Sequence, residues 1–145
     1  MRGILKPLGL AEEFISLEQG LAKNYKQQMV YGLSGAQVSY LFARLTEKAG
    51  PQPVLIVAPG EREANVLADE LTGFLPGLTV RLFPSWQLPP YQILAHSKEV
   101  IAQRLQVLEG LSRGERMVVV APAEALLRRL IPPGDFRAAV VRLAI

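Results

Sequence analysis

Two five-residue runs constrain this chain most: Val54–Ala58 (VLIVA) and residues 117–121 (MVVVA) are apolar at every position. A strand with one wet face alternates apolar and polar residues. A run without alternation fits a strand covered on both faces, as in a parallel sheet. Parallel neighbours need long, usually helical crossovers, and the sequence between the runs supplies them. Ala64, Leu67, Ala68 and Leu71 repeat at helical spacing, as do Ile101, Leu105 and Leu108. Upstream, Phe14, Leu17 and Leu21 mark one helix, and Val38, Leu41, Phe42 and Leu45 another. Residues 28–31 and 79–83 read as two further strands, and a short fifth helix follows Pro122. The expected fold is α/β, a mostly parallel sheet with helices on both faces.

Composition narrows the function classes. The 145 residues suit one domain, half of them are hydrophobic, and the net charge is +3. That mild basic bias is compatible with nucleic acid without implying it. There is no cysteine and one histidine, His96, which excludes disulfides, thiolate metal sites and multi-histidine metal sites within this sequence. No apolar run approaches the roughly 18 residues that span a membrane. No membrane partner is expected, no metal, and a cytoplasmic location. The C-terminal residues 137–145 (RAAVVRLAI) end on Val140, Val141, Leu143 and Ile145. They read as a strand just begun, so the expectation is a sequence cut from a longer protein. As an exposed edge, that strand is expected to pair with a second copy.

The stretch Gly32-Leu33-Ser34-Gly35-Ala36-Gln37-Val38-Ser39 begins like a phosphate-binding loop, G-x-x-x-x-G-K-[ST]. In such a loop glycines let backbone N–H groups turn to the phosphates, the lysine reaches the β- and γ-phosphates, and the hydroxyl binds Mg²⁺. Here Gly32 is in place, but Gln37 stands for the second glycine and Val38 for the lysine; only Ser39 survives at the hydroxyl position. Losing the lysine removes a charge-assisted contact of roughly 1.5–3 kcal/mol. Val38 also fits its helix's apolar stripe and is expected to pack inward. Three readings stand: a strand–turn–helix joint that needs glycine for geometry, weak residual anion or nucleotide binding, and a working ATPase. The first is preferred, with no catalytic residue and no bound cofactor expected; Gly32, Gly35, Gln37, Val38 and Ser39 are then a vestigial loop.

A family resemblance rests on longer stretches: LEQGL (residues 17–21), VYGLSG (30–35), PVLIVAPGEREANVLADEL (53–71), LFPSWQLPPYQILAHSKEVIAQRLQVLEGL (82–111) and VVVAPAEALLRRL (118–130). In this order and spacing they resemble the N-terminal, UvrB-like region of bacterial transcription-repair coupling factors (Mfd). The resemblance implies a degenerate RecA-like, P-loop NTPase-type domain over residues 1–131, similar to the first domain of UvrB. Residues 132–145 would be a linker and the first strand of a UvrA-binding-like domain. It also implies a parent that uses ATP and Mg²⁺ in distant motor domains, displaces RNA polymerase stalled on damaged DNA and recruits UvrA. UvrB carries an aromatic hairpin that clamps DNA. The loop of residues 84–97 here is too short for one, and the contact residues for UvrA fall beyond this sequence.

Other residues carry weaker signals. Trp86 and Tyr91 are candidates for stacking on a base, although such aromatics more often pin a loop to the surface. His96 reads as a loop or capping residue beside Ser97. Glu61, Glu63, Asp69 and Glu70 read as a solvated helix face. No acid follows a strand in a pattern that would hold Mg²⁺. Arg113, Arg116, Arg128, Arg129, Arg137 and Arg142 thicken the C-terminal third. Arg128 and Arg129 are the candidate nucleic-acid or partner surface. The rival functions are an ATP-binding N-terminal lobe of a helicase-like ATPase and a DNA-binding module.

Overall fold

A computed structural model describes residues 12–86 and 98–139. Helices α1 (Glu12–Ala22) and α2 (Ala36–Lys48) precede β1 (Val54–Ala58), followed by α3 (Glu61–Phe74), β2 (Thr79–Leu82), α4 (Lys98–Ser112), β3 (Met117–Pro122), α5 (Ala123–Leu126) and α6 (Pro133–Ala139). Among the described residues the sheet has three strands in the order β1-β3-β2, all parallel. Val54 pairs with Val118 and Thr79 with Met117. All six positions of central β3 are buried, as an unbroken apolar run requires.

Successive strand residues point to opposite faces, and the two faces have separate cores. Ile56, Ala58, Val118 and Val120 meet Ala43 of α2 and Ala64, Leu67, Ala68 and Leu71 of α3. Met117, Val119 and Ala121 meet Val107 of α4, Phe83 and Ala125. Helices therefore lie on both faces of the sheet, but only β3 is covered on both: Leu55 and Val57 of β1 are exposed, so among the described residues the expected two-sided cover of that run is not found. Helix α1 joins through Phe14, which lies 5.7 Å from the Arg44 guanidinium, and through a Lys48–Glu18 ion pair at 3.3 Å.

Three expectations need correction. Residues 28–31 form no strand: Gln28 Nε2 instead donates to the Leu17 carbonyl at 3.3 Å, and Met29, Val30 and Tyr31 are exposed. A short apolar run becomes a strand only when a neighbour accepts its backbone groups. Residues 137–139, read as the start of a strand, belong to α6, whose Phe136 is buried; residues 140–145, and the second-copy pairing expected there, lie outside the described residues. On α4 the buried residues are Arg104, Val107 and Gly110; of the predicted stripe Leu108 is half-buried against the core, whereas Ile101 and Leu105 are exposed. The helix approaches the sheet by the side that carries Arg104, Val107 and Gly110, with Gly110 against the Met117 side chain.

Candidate functional site

The glycine loop enters α2 with Gly32 at φ 82° and Gly35 at φ 53°, left-handed conformations that a Cβ disfavours. Both positions therefore favour glycine on backbone grounds. Three of the loop's N–H donors are engaged from within. Ser34 N–H donates to Gln37 Oε1 at 3.1 Å, Gln37 N–H to the Ser34 carbonyl at 3.2 Å, and Val38 N–H to the Gly35 carbonyl at 3.1 Å. Gln37, at the position of the second phosphate-loop glycine, folds its carboxamide back onto the loop.

The next two positions are also committed. Val38 is half-buried and carries no charge. Ser39 is 2% exposed, and its hydroxyl donates to the Glu70 carboxylate of α3. The wholly buried residues of α2 are Ser39, Ala43 and Thr46. The larger Val38, Leu41, Phe42 and Leu45 are half-buried beside them, so the expected inward packing of Val38 is only partial. Small residues let α2 lie close to α3, and the Ser39–Glu70 pair satisfies both polar groups inside that contact. Next to the loop, α1, residues 28–33 and α2 border an open apolar groove of about 900 Å³ lined by Phe14, Leu17, Tyr31, Tyr40 and Phe74.

On the other face of the sheet, beside the Phe83–Val107–Val119 core, the structure builds a second cluster. Arg104 is 3% exposed. Its guanidinium carbon lies 3.9 Å from the Phe83 ring centroid and 4.9 Å from that of Trp86, and its Nη1 donates to the Pro84 carbonyl at 2.6 Å. Its Nη2 is buried without a hydrogen-bond partner. Burial, and then the positive charge of Arg128, push the Arg104 pKa below its ordinary value. The same loop is held from α3: Ser85 donates from its N–H and its hydroxyl to Glu61 Oε2 at 3.1 and 2.7 Å. Trp86 thus packs on an arginine of its own domain, the structural alternative to base stacking.

The remaining candidates divide clearly. Arg128 and Arg129 are exposed. Arg116 donates to the Thr46 and Ala49 carbonyls, which closes the C-terminal end of α2, and Arg113 pairs with Glu109 and Glu115. Glu61 and Glu70 are not solvated, as expected from their helix, but half-buried and bonded to serines. Tyr91, His96, Ser97 and Arg142 lie outside the described residues. Arg104 was missed because it lies beside the Ile101, Leu105 and Leu108 stripe rather than in it; its signal is an arginine in the i, i+3, i+6 series with Val107 and Gly110. Among the described residues no three His, Cys, Asp or Glu side chains are grouped to hold a metal ion, and no helix is long and apolar enough to cross a membrane.

Comparison with known proteins bears on the whole chain. It is 34% identical over 123 residues, 85% of its length, to the transcription-repair-coupling factor of Bacillus subtilis, and 31% identical over 74% of its length to that of Escherichia coli. It is 27% identical over 79% of its length to UvrABC system protein B of Thermosipho africanus. The chain spans 10% and 9% of the two coupling factors and 19% of the UvrB protein. No family model and no solved structure matches it.

Proposed function

The chain belongs to the transcription-repair coupling factor family, as a UvrB-homologous segment, and from that membership we propose that it is a non-catalytic scaffold within a longer protein. The parent displaces RNA polymerase stalled at DNA lesions by ATP-dependent translocation and recruits UvrA for nucleotide excision repair. ATP and Mg²⁺ act in motor domains elsewhere in it. This domain positions the neighbouring UvrA-binding domain by contact and binds no cofactor of its own. The observation that carries the reading is the glycine loop. Gln37 occupies the Ser34 amide, the Ser39 hydroxyl is bound to Glu70, and Val38 offers no cation. A nucleotide would have to break these internal bonds and would find no lysine in return.

The test is Val38→Lys in this chain. The expected result is no ATP turnover, since restoring one charge frees neither the serine nor the loop amides. Turnover by that single variant would instead favour the ATP-binding lobe of a helicase-like enzyme. A DNA-binding role has one observation in its favour, the exposure of Arg128 and Arg129. It predicts duplex binding that weakens steeply with salt and disappears in Arg128→Ala/Arg129→Ala. The scaffold reading predicts no such binding at low salt.

A further inference from the structure

Between α5 and α6 the chain is fixed at both ends and bare in the middle. Ala125 is buried in the core beside β3 and Phe136 of α6 is buried as well, but every residue from 126 to 135 is exposed. The two ends are closed locally. Leu127 N–H donates to the Glu124 carbonyl at 3.3 Å, and Phe136 N–H to the Pro132 carbonyl at 2.9 Å. Pro132 and Pro133 remove further backbone freedom at the exit. A segment held in this way has little left to order when it makes a contact.

Its side chains combine two unsatisfied chemistries. Six consecutive residues read Leu126-Leu127-Arg128-Arg129-Leu130-Ile131. Leu127 is 84% exposed and Ile131 60%, and Leu126 and Leu130 are exposed beside them. Single exposed apolar residues are ordinary, but four within six positions make a patch of the kind that marks a contact site. The two arginines among them have no ion pair among the described residues. Residues 1–11, 87–97 and 140–145 contain no Asp or Glu, so no side chain there can supply one. The charge of Arg128 also reaches the buried Arg104, a second cation. A carboxylate side chain to meet these arginines has to come from another polypeptide.

The mixture selects the occupant. A nucleic-acid backbone would answer the arginines and leave four aliphatic side chains in water. A second copy in a symmetric contact would set arginine against arginine. A protein surface with an apolar centre and carboxylates beside it satisfies both halves, and arginine is the cation enriched at such contacts while lysine is depleted. We propose that residues 126–131 are a docking surface for an acidic, amphipathic segment of a partner protein, with its apolar side chains on Leu127 and Ile131 and its Asp or Glu carboxylates on Arg128 and Arg129. The proposal rests on the reading above that this domain acts by contact, and it gives that contact a place and a chemistry.

The probe is a fluorescent amphipathic peptide of glutamate and leucine, titrated into this chain and, separately, into the longer native protein. Saturable binding to both is expected. Arg128→Glu/Arg129→Glu should weaken it about 10-fold or more, and Leu127→Ser about 5-fold or more. An all-glutamate peptide should bind about 10-fold more weakly than the probe. Melting should stay unchanged in both variants, because the replaced side chains are exposed. No saturable binding to the chain overturns the proposal. So does equal binding by the all-glutamate peptide or by duplex DNA, which would make the patch a site for charge alone. Binding by the chain but not by the longer protein assigns the patch to a covering segment of the parent and overturns it too. A dimer of the chain that Leu127→Ser abolishes assigns it to a second copy, with the same consequence. None of these outcomes bears on the glycine loop, whose reading stands or falls with ATP turnover by Val38→Lys.

Discussion

Ser39 and Arg104 show how single polar side chains are held inside this domain. The Ser39 hydroxyl, at the Mg²⁺-binding position of a phosphate loop, serves a contact between α2 and α3 through Glu70. Ser39→Ala leaves a half-buried carboxylate short of a donor and should lower stability by about 1–3 kcal/mol in urea denaturation. A change below about 0.3 kcal/mol would mean the hydroxyl is free for other work. Arg104 is held by shape as much as by charge, with its planar guanidinium between Phe83 and Trp86. Lysine keeps the charge and loses the plane. Arg104→Lys should therefore cost about 1–3 kcal/mol and shift the emission of Trp86, the chain's only tryptophan, to the red. An unchanged spectrum would contradict the stack.

At the scale of elements, what could be read in the sequence depended on whether the signal was local. The apolar run of β3 and the stripe of α3 contain their own answer, since their residues are buried in the pattern read from the sequence, whereas β1, equally apolar, leaves Leu55 and Val57 exposed. The Ala64–Leu67–Ala68–Leu71 series is buried as the sequence implies. Helix α4 follows the same method only in part: Leu108 packs against the core while Ile101 and Leu105 stay exposed, and the buried positions are an arginine, a valine and a glycine. Leu71→Ala should cost about 2–5 kcal/mol, whereas Leu105→Ala, at a position 46% exposed, should change stability by less than about 0.5 kcal/mol. Equal losses would return Leu105 to the core. Residues 28–31 were misread for a different reason. Strand formation is decided by a partner, and no local pattern encodes whether the partner is at hand. At the candidate site the substitutions Gln37 and Val38 were legible as missing chemistry. Their replacement bonds, Gln37 to Ser34 and Ser39 to Glu70, were not, because the second joins residues 31 positions apart.

At the scale of the whole molecule, the described residues form a three-stranded sheet with two cores, preceded by a loop whose Gly32 and Gly35 have positive φ and whose Ser34, Gln37 and Val38 N–H groups bond within the loop. Helices α2 and α3 are locked together at the Ser39–Glu70 pair, and the β2–α4 side is fixed by Arg104 and by Glu61 on Ser85. Both devices favour a rigid body that acts by contact. A nucleotide site would need a loop able to exchange its internal bonds for phosphate. Titration of the chain with ATP and Mg²⁺ by calorimetry decides between the two. The account predicts no heat of binding at millimolar nucleotide, with the hydrogen bonds of Ser34, Gln37 and Ser39 undisturbed. A micromolar dissociation constant would contradict it, and would make this domain a nucleotide sensor that holds phosphate on backbone amides alone.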